Sequence, residues 1–174
     1  MRNTLVFAVL SLVATIAIAE EKKKPLSPAT TAKATIAGKN ITIDYSAPSK
    51  RDRKIMGELV PYGKLWRTGA NQATTLKTDT DLMIGSLHVP AGEYLLFTIP
   101  NEKEWTLVVS KQKGLWGTGG YDEKQDLGRV AMTVTPLKST TETFTIDLKP
   151  ASGNKGTLSM AWENTYASVP VMVH

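Results

Sequence analysis

The chain has 174 residues, of which 41% are hydrophobic and 21% are charged, and it contains no cysteine. This composition is typical of one globular domain, and the lack of cysteine excludes a disulfide scaffold, a zinc site with thiolate ligands and a cysteine nucleophile. The formal net charge of +5 is compatible with anionic partners, but the basic residues are too scattered to indicate a nucleic-acid-binding protein.

The first residues have the pattern of a secretory signal peptide. A positive charge at Arg2 precedes an apolar run from Thr4 to Ile18, and Ala17-Ile18-Ala19 forms the small-x-small pattern that signal peptidase cleaves. We therefore predict a signal peptide over residues 1–19, no stable membrane anchor after its removal, and export to the periplasm or the extracellular medium. Residues 20–31 begin with charged residues and contain proline, so they predict a flexible tether.

Residues 32–174 predict a single β domain. Apolar and polar residues alternate in segments 40–45, 130–135, 143–148, 158–163 and 169–173, which is the period of a strand with one face on a core. Segments 93–99 and 105–109 are almost continuously apolar, as central strands covered on both faces are. Ten or so short strands separated by turn residues predict an all-β fold, an antiparallel β-sandwich of the jelly-roll type, with a closed β-barrel as the alternative. Trp105 and Trp162 occupy inward positions and are predicted core residues.

Two segments lack the strand pattern, and both are candidates for function. Ser46–Asn71 is longer than connections in compact domains usually are, but it carries enough apolar residues to predict an ordered, packed loop. Lys111–Arg129 is rich in glycine and contains Trp116 and Tyr121. Glycine lets a ligand approach the backbone closely, and an aromatic ring held in such a loop offers a flat surface.

The same region carries a resemblance to a known family. Residues 59–74 read LVPYGKLWRTGANQAT, and they are followed by PAGEY at 90–94, LFTIP at 96–100, Trp105-Thr106 and Trp116-Gly117. This combination resembles a family of exported bacterial proteins known only as a domain of unknown function, over about residues 25–173. The resemblance implies a signal peptide, but it implies no activity, substrate or cofactor.

The block from Trp66 to Asn71 has the chemistry of a site for a polar or anionic ligand. An arginine can bind a carboxylate or phosphate through two parallel hydrogen bonds, while a hydroxyl, a carboxamide and an aromatic ring supply further contacts. The second loop and a basic run at 50–54 add aromatic and charged groups. The predicted ligand contacts are Arg53, Tyr62, Trp66, Arg67, Thr68, Asn71, Trp116, Tyr121, Asp126 and Arg129.

A structural role is the competing interpretation of the same residues. Arg67 would pair with Asp126 or Glu58 and so pin the long loop, and Trp66 would belong to the core. Asp126 and Arg129 would then be partners in a tie of this kind.

Three functional hypotheses remain open. The first is a binding module for a small polar or anionic ligand, with glycans included. The second is a hydrolase or lyase acting on a glycan, with Asp126 or Glu58 as acid or base, and the third is a purely structural envelope protein. With only His88 and the final His174, the sequence indicates no metal site and no cofactor, and His88 is a predicted surface residue. A nucleic-acid partner is not expected, and the sequence does not indicate an oligomeric state.

Overall fold

The described part of the chain is residues 25–174 of a computed structural model, and it consists almost entirely of β-strands. The predicted signal peptide and the first residues of the predicted tether lie outside it. No helix in this part is long and apolar enough to cross a bilayer. The elements are β1 (Ala29–Ile36), β2 (Lys39–Ser46), β3 (Thr74–Thr78), β4 (Leu82–Ile84), β5 (Leu87–Val89), β6 (Gly92–Ile99), β7 (Glu104–Ser110), one 3-10 turn (Glu123–Gln125), β8 (Asp126–Pro150) and β9 (Lys155–Val173).

Hydrogen bonds join all nine described strands in one antiparallel sheet, in the order β1-β2-β3-β6-β7-β8-β9-β4-β5. Strands β1 and β5 are the two edges of this sheet. The predicted all-β, antiparallel, sandwich-like fold is confirmed. The alternative of a closed barrel is wrong, because the β4–β5 hairpin pairs with β9 and ends the sheet there instead of joining it to β1.

Strands β8 and β9 are much longer than the predicted short strands, at 25 and 19 residues. Segments 130–135 and 143–148 both lie in β8, whose ladder with β9 shifts register between Pro136 and Thr145. The two predicted strands are therefore one strand, whose ladder with β9 is interrupted where the register shifts. Two other boundaries are corrected: residues 29–31 of the predicted tether belong to β1, and residues 126–129 of the predicted second loop belong to β8.

The core forms where the alternating residues of the strands face inward. Phe144, Ile146 and Leu148 are buried while their neighbours Thr145 and Asp147 are exposed, as the alternation predicts. Burial of this apolar surface is the main stabilising contribution.

Aromatic rings fill the centre of this core. The ring of Trp66 lies nearly parallel to that of Trp162, with centroids 5.8 Å apart, and meets Phe144 and Trp105 edge-on at 4.9 and 6.1 Å. Trp105 and Trp162 are fully buried, so their prediction as core residues is confirmed.

A second, smaller apolar cluster lies on the opposite face of β6 and β7. Leu95, Phe97 and Val108 point to this side, and the loop side chains Leu115 and Tyr121 pack over them. Both faces of these strands are covered, which confirms the prediction from the continuous apolar runs at 93–99 and 105–109. The cluster also fixes where the glycine-rich loop lies.

Candidate functional site

The connection between β2 and β3 is an ordered loop that is built into the core. Ile55, Met56 and Val60 are buried, so the prediction of a packed loop is confirmed. Leu59 and Tyr62 are the exceptions, with 47% and 38% of their surface exposed. The exposed side chain of Leu59 borders a cavity.

A carboxylate from β9 holds the tip of this loop. Glu163 accepts the backbone N–H groups of Ile55 and Met56, at 3.3 and 3.1 Å. Its own φ is +55°, a conformation that non-glycine residues rarely adopt, so the contact is maintained against backbone strain. The loop is thereby tied to the sheet through its backbone.

The segment that follows is a turn with little freedom. The backbone of Trp66 pairs with Thr98 in both directions, at 2.7 and 2.9 Å, and its indole N–H donates to the carbonyl of Gly69 at 3.1 Å. Thr68 is fully buried, and its carbonyl accepts the hydroxyl of Thr74 at 2.7 Å. Thr68 is therefore part of the framework rather than a group that faces solvent.

Gly69 is required by the same turn. Its φ is +151°, and a β-carbon at this position would lie 2.8 Å from the carbonyl oxygen of Ser46. That oxygen accepts the N–H of Ala70 at 3.2 Å and is not free to move. The close approach of two backbone segments here explains why the loop carries a glycine.

Beside this turn lies a cavity of about 350 Å³. It is bordered by the β2–β3 loop, by two residues that precede β1, and by Trp162 of β9. None of its lining residues is an aspartate or a glutamate. Its charged and amide side chains are Arg51, Arg53, Arg67 and Asn71, and its large apolar side chains are Leu26, Leu59, Val60, Trp66 and Trp162.

The guanidinium groups of the three arginines of this cavity form no ion pair with a carboxylate of residues 25–174. The nearest acidic contact is through the backbone of Arg51, whose N–H donates to a carboxylate oxygen of Glu142 at 2.7 Å. Arg53 donates to the carbonyls of Ser49 and Lys50, at 2.6 and 3.1 Å, and so closes the turn that precedes it. Its role is thus partly structural.

Arg67 is the arginine whose bonding is least complete. Its Nε is buried and has no hydrogen-bond partner in the described chain. One of its terminal nitrogens lies 3.6 Å from where a β-carbon of Gly117 would stand, so the side chain runs beneath the glycine-rich loop. A buried donor without an acceptor is costly, so Arg67 is held in place at an energetic cost.

The predicted ion pair of Arg67 with Asp126 or Glu58 is wrong. Glu58 pairs with Lys54 on the surface at 3.3 Å. Asp126 accepts the hydroxyl of Tyr121 at 2.8 Å and the guanidinium of Arg129 at 2.9 Å, so both are committed elsewhere.

The predicted partnership of Asp126 and Arg129 is confirmed, and it belongs to a closed network. Arg129 also donates to the hydroxyl of Tyr121 at 3.1 Å, and the ring of Tyr121 packs on Phe97. Burial, together with the hydrogen bond to Asp126, raises the pKa of Tyr121 to about 12. These three residues anchor the glycine-rich loop and β8 to the outer face of the sheet, and none of them borders the cavity.

Two further predicted contacts lie outside the cavity. Tyr62 packs against Gly57 and borders a different surface depression, near Asn101. Trp116 is 68% exposed, and its backbone pairs with Gln72. Of the ten predicted contacts, the structure therefore brings four together at the cavity, namely Arg53, Trp66, Arg67 and Asn71.

Sequence analysis included Arg51 only as part of the basic run, and it missed the residues before β1. Arg51 lies in the basic run at 50–54, which has the appearance of a solvated turn, and Leu26 and Ser27 lie in the predicted tether. Positive backbone φ angles distinguish this region more clearly than the residue types do. Arg51, Thr68 and Asn71 have φ values of +52°, +56° and +59°, which makes three of the five non-glycine residues with positive φ in residues 25–174. Such strain concentrates at functional sites.

The histidines form no comparable site. His88 is exposed, as predicted, and its Nε2 lies 3.0 Å from a carboxylate oxygen of Asp81. The ring of His174 is 6.2 Å from that of His88, centroid to centroid. Within residues 25–174 there is no group of three or more histidine, aspartate or glutamate side chains placed to hold a metal ion.

The comparison with protein families gives one match, to a family described as a protein of unknown function (DUF2911), over residues 27–171. This range covers all of the described strands apart from the last residues of β9, and it includes most of the cavity lining. Neither the curated proteins nor the solved structures gave a match. The chain therefore belongs to the DUF2911 family.

Proposed function

We propose that this chain is an exported binding protein for a small anionic ligand, which Arg67, Arg51 and Arg53 hold in the cavity. The observation that carries the proposal is a lining with three arginines, none of them in an ion pair within residues 25–174, and no carboxylate. In such a place an anion would relieve the repulsion between like charges and would accept hydrogen bonds from the terminal guanidinium nitrogens.

The chemistry of the lining supports binding rather than catalysis. Arginine stays protonated at all physiological pH values, so it holds an anion but does not transfer protons. No aspartate, glutamate or histidine borders the cavity to act as general acid or base. The carboxylates that an enzyme on this scaffold would use, Glu58 and Asp126, are paired elsewhere.

Export is the second part of the proposal, and it rests on the apolar run and the Ala17-Ile18-Ala19 pattern. The test is the intact mass of the protein recovered from the envelope or medium of a bacterium that expresses the full chain. We expect a chain that begins at Glu20. A full-length mass in the cytoplasm would contradict export.

Ligand binding is tested by thermal unfolding of the purified protein with acetate, phosphate, sulfate, glucuronate and neutral glucose. A ligand at about 100 times its Kd adds about 2.7 kcal/mol to the free energy of unfolding. For a domain of this size that raises Tm by about 5–10 °C. We expect at least one anion to produce a shift of this order, and glucose to produce none.

The controls separate the site from general salt effects. Phosphate and sulfate stabilise many proteins because they are excluded from the surface, so a shift counts only if it depends on the cavity. Arg67→Gln and the exposed Arg51→Gln should each reduce the shift, while Lys149→Gln, which removes the same charge at an exposed position outside the cavity, should retain it. Equal shifts in the wild type and in both cavity variants would refute the proposal.

A further inference from the structure

The cavity is bordered by apolar side chains in addition to its arginines. Leu26, Leu59 and Val60 border it, together with Trp66 and Trp162. Val60 and the two tryptophans are buried in the protein, whereas 72% of the surface of Leu26 and 47% of that of Leu59 are exposed. The exposed leucines lie at the rim, where a bound apolar group would cover them.

The tryptophans present only carbon to this space. The indole N–H of Trp66 donates to the carbonyl of Gly69, and that of Trp162 donates to the carbonyl of Glu142, both at 3.1 Å. Neither ring therefore has a free N–H donor. The two rings also pack against each other, so neither has both faces free to stack on a sugar. This part of the lining is suited to an apolar group.

The volume of the cavity also favours a ligand with an apolar group. One water molecule takes about 30 Å³ of liquid volume, so the cavity has room for about a dozen non-hydrogen atoms. Inorganic phosphate has only its phosphorus and four oxygens. It would leave more than half of the cavity filled with water that contacts the apolar side chains. A ligand that fills the cavity carries an apolar body as well as a charge.

We infer that the ligand is an amphipathic organic anion, a carboxylate or a phosphate or sulfate monoester attached to an apolar body of about seven to nine non-hydrogen atoms. The anionic group bonds to Arg67 and Arg51, and the body packs on Leu26 and Leu59, the exposed apolar side chains of the lining. This inference rests on the proposed function, because it specifies the anion that the same cavity holds.

The test is isothermal titration of the purified protein with four probes: phenylbutyrate, its neutral amide phenylbutyramide, acetate and inorganic phosphate. We expect phenylbutyrate to bind at least about tenfold more tightly than the other three. Two variants divide the contacts. Arg67→Gln should remove the preference for phenylbutyrate over its amide, and Leu59→Asn, at an exposed position that tolerates polarity, should weaken phenylbutyrate while leaving acetate and phosphate unchanged.

The outcomes separate the two proposals. If acetate or phosphate binds as tightly as phenylbutyrate, and does so through Arg67, the anion site stands and the apolar body is refuted. If phenylbutyramide binds as tightly as phenylbutyrate, or if no probe binds, the proposed anion-binding function falls along with the inference. Lys149→Gln, at an exposed position outside the cavity, should behave as the wild type does in every titration, and a loss of binding there would refute the assignment to this cavity.

Discussion

Replacing Gly69 by alanine should destabilise the protein substantially, since two separate costs arise at that position. The φ of +151° is a conformation that costs an alanine about 1–3 kcal/mol. The new β-carbon would also lie 2.8 Å from the carbonyl oxygen of Ser46, which must then shift and weaken its hydrogen bond from Ala70, at a cost of about 1 kcal/mol. We expect Gly69→Ala to lower the free energy of unfolding by about 2–4 kcal/mol, a large part of the about 5–15 kcal/mol that domains possess.

Urea unfolding, followed by the fluorescence of the buried tryptophans, measures this loss. With a slope near 2 kcal/mol per molar urea, the midpoint should fall by about 1–2 M without a change in slope. Gly114→Ala is the matched control, because Gly114 also has a positive φ, of +65°, but nothing stands within 4 Å of its added β-carbon. If the two variants lose the same stability, the close approach of Gly69 to Ser46 has no energetic weight and the reasoning is refuted.

Two further predictions concern the networks that hold the loops. Because the pKa of Tyr121 is raised to about 12 from an ordinary value near 10, its contribution to stability is complete below pH 10 and is lost as the pH rises through 12. Burial also raises the pKa of Tyr45 and Tyr94, so titration of tyrosinate absorbance must be compared with that of Tyr121→Phe, which should remove the group that titrates near pH 12. A late part of the titration that Tyr121→Phe leaves unchanged would contradict the burial of this hydroxyl. Glu163→Ala should remove the acceptor for Ile55 and Met56, cost about 1–3 kcal/mol, and speed hydrogen exchange of those two amides. Unchanged exchange there would show that other contacts hold the loop.

The fold class was predictable because strand alternation is a local property of the chain. Ile146 and Leu148 follow Phe144 at intervals of two, and each faces the core whatever its strand pairs with. The pairing of the short strand β4 with β9 is different, since it depends on residues 82–84 meeting residues 171–173. Nothing in three residues specifies a partner that is almost ninety positions away, and for the same reason the continuity of β8 could not be predicted.

The candidate site was predictable only in part, for a related reason. Arg67 and Asn71 could be identified because they are polar residues in a long loop that must be ordered. Arg51 and Leu26 reach the same cavity only after the chain has folded. Tyr121 was predicted as a ligand contact, but its ring stabilises the loop that carries it. The sequence does not reveal that its hydroxyl is already bonded to Asp126.

The residues before the first strand form part of the cavity wall rather than a flexible tether. The carbonyl of Pro28 accepts the N–H of Ala47 at 2.9 Å, and Leu26 and Ser27 border the space that holds Arg67. A chain shortened to begin at Ala29 would keep every strand, but it would lose the acceptor for Ala47 and the side of the cavity that Leu26 and Ser27 border. We expect such a truncation to melt earlier than the full domain, so a screen for the proposed ligand performed on it would probe a different cavity in a less stable protein.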